Sequence, residues 1–158
     1  MFRRLILTAT AACFATFGAT QASACTTPSN VNALATEIAQ GLNAHRAANG
    51  LPQVSFNRRL GRAAMNHACD MSNNGFFGHS GSNGSDIVQR VNSTGYKQCL
   101  VAENLAWGYP RSEQIVTGWM NSAGHRANML HPRVAEFGVA ITDGAKGPNW
   151  VLVLARRC

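Results

Sequence analysis

Two histidines, one glutamate and one serine stand where this chain could do chemistry. His79 follows Gly78 in a polar, glycine-rich stretch, Glu103 interrupts an apolar run, and Ser122 and His125 flank Gly124 within Trp119–Leu130. Two imidazoles and a carboxylate can hold a divalent metal and leave a position open for water. His79 and His125 would then be the ligands, with Glu103 a third ligand or the general base for the bound water. A carboxylate inside an apolar strand is costly to bury unless it is paired or hydrogen-bonded, and the two imidazoles would supply partners. Spacing alone leaves another reading open, in which the histidines are ordinary hydrogen-bonding residues and Glu103 caps backbone groups. Ser122 and His125 are three residues apart, close together on a helix. Neither a Gly-x-Ser-x-Gly elbow nor an Asp partner accompanies them, so serine hydrolase chemistry is not expected. His45 and His67 fall on apolar helix faces and read as hydrogen-bonding residues at the edge of a core, while His131, before Pro132, reads as a loop residue.

The elements that must position these residues can be read from periodicity. Val31, Leu34, Ile38 and Leu42 recur at helical spacing over residues 29–49, with Ser29 or Asn30 as cap and Asn49-Gly50 as stop. Asn57 is placed to cap a second helix bearing Leu60, Ala64 and Met71, ended by Asn73-Asn74-Gly75. The Gly75–Gly84 stretch is a loop, and loops on a rigid scaffold often carry function. A short helix over residues 85–92 follows, then a strand over 99–107 carrying Glu103-Asn104. Ser112 is expected to cap a helix through Ile115, Val116 and Trp119, with the chain bending at Gly124. Residues 137–142 and 150–155 are apolar or β-branched runs around a turn at 143–149, which predicts a hairpin. Helices come early and strands late, without βαβ alternation, so the expectation is one α+β domain with helices covering a mostly antiparallel sheet.

Compartment is legible at the start of the chain. Met1-Phe2-Arg3-Arg4, an apolar stretch from Leu5 to Ala19, and Ala22-Ser23-Ala24 together read as a secretory signal peptide over residues 1–24. The domain would then be residues 25–158, in the periplasm or outside the cell. No run is long enough to span a bilayer. Cys25 would follow the cut; lipidation there is disfavoured by Ala22 in the place where the lipidation signal prefers Leu. Cys13 leaves with the leader, and Cys25, Cys69, Cys99 and Cys158 remain. An even cysteine number in an exported chain argues for two disulfides. The expected pairing is Cys25–Cys158, tying the chain ends, and Cys69–Cys99. The 158-residue sequence carries a formal net charge of +7. Without Arg3 and Arg4, 12 basic side chains face 7 acidic ones, a net +5. The basic residues are scattered and no stripe interleaves them with aromatics, which argues against nucleic-acid binding. Weak attraction to an anionic envelope surface is the plainer consequence.

In order along the chain, Leu42-Asn43 with Arg46, Leu60 with Ala63-Ala64 and Met71, Gly78-His79-Ser80, Glu103-Asn104-Leu105-Ala106, Trp119 with Ser122 and Gly124-His125-Arg126, and Phe137-Gly138-Val139 form a pattern that resembles the CAP superfamily of cysteine-rich secretory, antigen-5 and pathogenesis-related proteins. It is most similar to the short bacterial SCP-domain members, over residues 38–154. The resemblance implies a three-layer α-β-α sandwich with a central cleft, lined in many members by two His and two Glu, where some bind zinc or another divalent ion. His79, Glu103 and His125 match three of the four. The fourth position is Ser122, which weakens both a metal site and two-carboxylate acid–base chemistry. The family implies no single activity; members are described as lipid or sterol binders, ligands, toxins and, in scattered cases, proteases. The expectation is a monomeric, non-catalytic binding module for a small lipid-like, metal or envelope ligand, with a metal-assisted hydrolase using His79, Glu103 and His125 as the alternative.

Overall fold

The computed structural model describes residues 25–158; the expected leader, with Cys13, lies outside the described residues. The elements run α1 (Val31–Ala48), β1 (Ser55–Phe56), α2 (Arg58–Asn74), α3 (Ile87–Ser93), β2 (Gln98–Trp107), α4 (Ser112–Asn121), α5 (Ala123–Met129), β3 (Glu136–Thr142) and β4 (Asn149–Arg157). The strands form one sheet in the order β1-β3-β4-β2. The expected β3–β4 hairpin is present, β2 pairs antiparallel with β4, and the two-residue β1 pairs parallel with β3.

Alternation along β4 explains the layers. Trp150, Leu152 and Leu154 join a core with Leu34, Ile38 and Leu42 of α1, Ile115 and Trp119 of α4, and Met129 of α5. Val151, Val153 and Ala155 join a second core with Leu60, Ala63, Ala64, Ala68 and Met71 of α2 and Val91 of α3. Successive strand residues face opposite sides, so a strand apolar at every position must be covered on both, as an α-β-α sandwich requires. The small alanines of α2 let it approach the sheet closely. A Cβ on Gly138 of β3 would lie 2.1 Å from the Leu60 carbonyl carbon.

Local signals set most of the boundaries. The Asn57 side chain accepts from the Arg59 amide to cap α2, and Gly75 ends it at φ 66°, where a side chain would be strained. Asp86 and Gln89 form a reciprocal capping box on α3. Two expectations are corrected. Ser112 is the first helical residue of α4, not its cap, and its hydroxyl donates to Glu37 of α1 instead. The chain breaks between α4 and α5 at Ser122, whose ψ of 121° is extended, while Gly124 sits inside α5.

The disulfide pairing is also corrected: Cys25 bonds Cys69, and Cys99 bonds Cys158. The sheet dictates this. Gln98 lies opposite Arg157 in the β2–β4 ladder, and the Cys158 amide donates to the Lys97 carbonyl, so Cys99 and Cys158 close one end of an antiparallel pair. The N-terminal segment lies at the other end, where the Asp143 amide donates to the Thr26 carbonyl. The Ala68 carbonyl, beside Cys69, accepts there from Thr142.

Candidate functional site

The site grows from the outer edge of β2. Val101, Glu103 and Leu105 face α2 and α3, and Asn104 faces α5. Arg90 of α3 answers the buried Glu103 carboxylate, whose side chain is 2% exposed. Its Nη2 donates to Oε1 at 3.0 Å and Oε2 at 2.8 Å, while its Nη1 donates to the carbonyls of Ser85 at 2.8 Å and His79 at 2.9 Å. One guanidinium therefore neutralises the acid and fastens the loop that carries His79. The sequence reading missed Arg90. Its signal was present: Ile87, Arg90 and Val91 have i, i+3, i+4 spacing, which puts Arg90 on the apolar face of α3.

His79 Nδ1 lies 2.9 Å from Glu103 Oε1. A carboxylate can only accept, so Nδ1 is the donor in this contact. The His79 side chain is 62% exposed. His125, on α5, is half-buried. Burial, and then the nearby charge of His79, hold its proton affinity below the ordinary imidazole value. Asn104 fixes α5 against the strand by donating to the His125 carbonyl at 3.0 Å, and Asn128 donates to Asn104 Oδ1 at 2.9 Å. Trp119 Nε1 donates to the Leu105 carbonyl at 3.1 Å, satisfying an edge group that no strand pairs.

The expected His79, Glu103 and His125 are thus brought to one strand edge, His79 and Glu103 in direct contact. Ser122 stands at the α4–α5 break, and among the described residues its hydroxyl makes no hydrogen bond to the other three. His67, expected at the edge of the core, is fully buried; its Nε2 donates to the Gly78 carbonyl at 2.8 Å and lies 3.9 Å from Glu103 Oε1. Burial chiefly lowers its proton affinity, opposed by Glu103. The donor set does not fit a metal. Among the described residues no group of three His, Cys, Asp or Glu side chains is placed to hold one, and a cation approaching Glu103 would meet the guanidinium already there.

The model of the cysteine-rich secretory protein family matches residues 40–154. The chain belongs to this family. It is 30% identical over 123 residues to YkwD, an uncharacterised Bacillus subtilis protein, covering 78% of this chain and 47% of that one. In structure it is similar to an extracellular SCP-domain protein of Bacillus anthracis, with TM-score 0.73 and 24% identity over 80% of this chain and 41% of that one. It is also similar to an outer surface protein of Borrelia burgdorferi, with TM-score 0.78 and 17% identity over 85% of this chain and 99% of that one. This member of the family spans less than half of the two Bacillus proteins. Among its described residues no helix is long and apolar enough to cross a membrane.

The lowered proton affinities carry a sign. Below about pH 6.5 the unfolded chain takes up protons on His67 and His125 that the folded chain resists, so stability falls as pH drops through that value. Urea unfolding at about pH 7.5 and about pH 5 is expected to show this loss, and His67→Gln is expected to show less of it.

Proposed function

We propose that this family member is an exported, non-catalytic binding domain, residues 25–158, whose ligand is a small amphiphile with an acidic head group. The observation that carries this is an apolar hollow of about 240 Å³ near the loop that carries His79, lined by Met71, Phe76, Phe77 and Trp107, with Lys146 at its rim. Phe77 and Trp107 are exposed and stand 5.8 Å apart, and Lys146 Nζ lies 5.2 Å over the Trp107 ring. The two neighbouring rings make an apolar patch beside a hollow, the kind of surface that marks a ligand-binding groove, and the ammonium beside them suits an anion.

Export rests on the leader-like start, on paired cysteines, and on similarity to a protein described as extracellular and another described as an outer surface protein. The non-catalytic reading rests on Glu103, both of whose oxygens are engaged, which leaves it poorly placed to act as a base. The metal-assisted alternative needs a third ligand that the donor set does not offer.

Trp107 makes the test direct, because Trp119 and Trp150 are buried. Dodecyl phosphate is expected to shift and saturate the emission of wild type and to leave Trp107→Ala unchanged, while dodecyl maltoside leaves both unchanged. No saturable shift with dodecyl phosphate would overturn the ligand assignment. Turnover of a peptide or ester substrate that vanishes in folded His79→Ala would overturn the non-catalytic reading.

A further inference from the structure

Behind the Glu103–Arg90 pair, on the side of the molecule formed by α2, α3 and the 81–86 loop, lies a second hollow of about 500 Å³. Its wall mixes polar and apolar surface: Asn66, Asp70, Ser82, Asn83 and Gln89 contribute polar side chains, with His67 and Arg90 among the lining residues. Those last two are 0% and 8% exposed, and each leaves one polar atom with no partner, His67 Nδ1 and Arg90 Nε. Buried polar atoms are rarely orphaned, because each costs the desolvation of a lost hydrogen bond.

The two orphans are complementary. His67 Nε2 must carry the ring proton, since it faces the Gly78 carbonyl at 2.8 Å, so Nδ1 is a bare acceptor. Arg90 Nε–H is a donor, because its other nitrogens serve Glu103, His79 and Ser85. One missing donor and one missing acceptor, in walls of amides and hydroxyls, match a group that offers both, and a hydroxyl does. A single water occupies about 30 Å³ of liquid volume, far less than this space. Charge narrows the choice. Arg90 is neutralised by Glu103, and the Asp70 carboxylate, held by Ser82 and Asn74, repels an anion.

We infer that this hollow is a binding site for a neutral, hydroxyl-rich ligand of mono- or disaccharide size, separate from the surface around His79 and Trp107. Sugar hydroxyls would bond the amides and Asp70 at the rim, above the His67 and Arg90 side chains.

The Arg90 Nε–H resonance reports on it by NMR. Titration of the 25–158 chain with maltose, cellobiose and the β-1,4-linked dimer of N-acetylglucosamine is expected to move that resonance saturably for at least one of them. Inorganic phosphate is expected to leave it in place. Asn66 and Ser93 are exposed at the mouth, so Asn66→Phe and, independently, Ser93→Phe should abolish the saccharide effect, while Trp107→Ala should retain it. A resonance unmoved by all three saccharides, a response to phosphate alone, or saccharide binding that survives both blocking variants in folded protein would each overturn the inference.

Discussion

Arg90→Ala is expected to destabilise the fold by about 3–5 kcal/mol, the range for removing one partner of a buried ion pair. Three acceptors lose the guanidinium together: the Glu103 carboxylate, which keeps only His79 Nδ1, the His79 carbonyl and the Ser85 carbonyl. The carboxylate is the costly one, since its side chain is 2% exposed and it loses its buried counter-charge. Urea unfolding followed by tryptophan fluorescence measures the loss. Two further readings separate a pair from mere bulk. Arg90→Met with Glu103→Leu should lose much less than the two single changes added together, because no charge remains stranded. Amide hydrogen exchange in Arg90→Ala should also quicken across residues 79–86, because that loop hangs on the Arg90 side chain. An Arg90→Ala variant as stable as wild type would show that Glu103 has some other counter-charge.

Removing the Cys99–Cys158 bond as Cys99→Ser with Cys158→Ser is expected to cost about 4 kcal/mol by the loop-entropy relation, given a sequence separation of 59 residues. The bond also holds the first residues of β2 against the last of β4, and the Cys158 amide bonds the Lys97 carbonyl beside it. Fraying should therefore begin at that end of the sheet, and Cα–H resonances of residues 98–101 should move first. The pairing itself is checked by single changes. Cys25→Ser should release one titratable thiol, at Cys69, and leave the 99–158 bond intact on non-reducing peptide mapping. A free thiol at Cys158 in that variant would restore the pairing expected from sequence.

That mistaken pairing shows what kind of information a sequence withholds. Helices and hairpin were legible because their signals are local: the Asn57 cap, the Gly75 stop, and alternation on either side of the 143–149 turn. Four cysteines allow three connectivities, and the choice depended on β2 lying beside β4, which brings together Cys99 and Cys158 from a sequence separation of 59. β1 was invisible for the opposite reason, since two residues carry no period. At the site, Glu103 announced its need for a partner by being a carboxylate in an apolar strand, and His79 and His125 were offered. His79 does meet the carboxylate, at 2.9 Å, but the buried counter-charge is Arg90, which reads as an exposed residue until the apolar face of its short helix is drawn. His67 was read as partly wet; the alanines of α2 bring its helix so near the sheet that the ring is sealed. The bend was assigned to Gly124 because glycine is the usual breaker, yet Ser122 reaches an extended conformation open to any residue.

The two covalent cross-links enclose residues 25–69 and 99–158 and do not overlap. A protease that nicks the backbone inside either loop produces pieces still tethered by sulfur. A nick anywhere from 70 to 98 leaves two halves with no covalent bond between them among the described residues. That unsecured bridge bears His79 and Arg90, so the stretch richest in polar groups is also the one place where a single cut can dismantle the molecule.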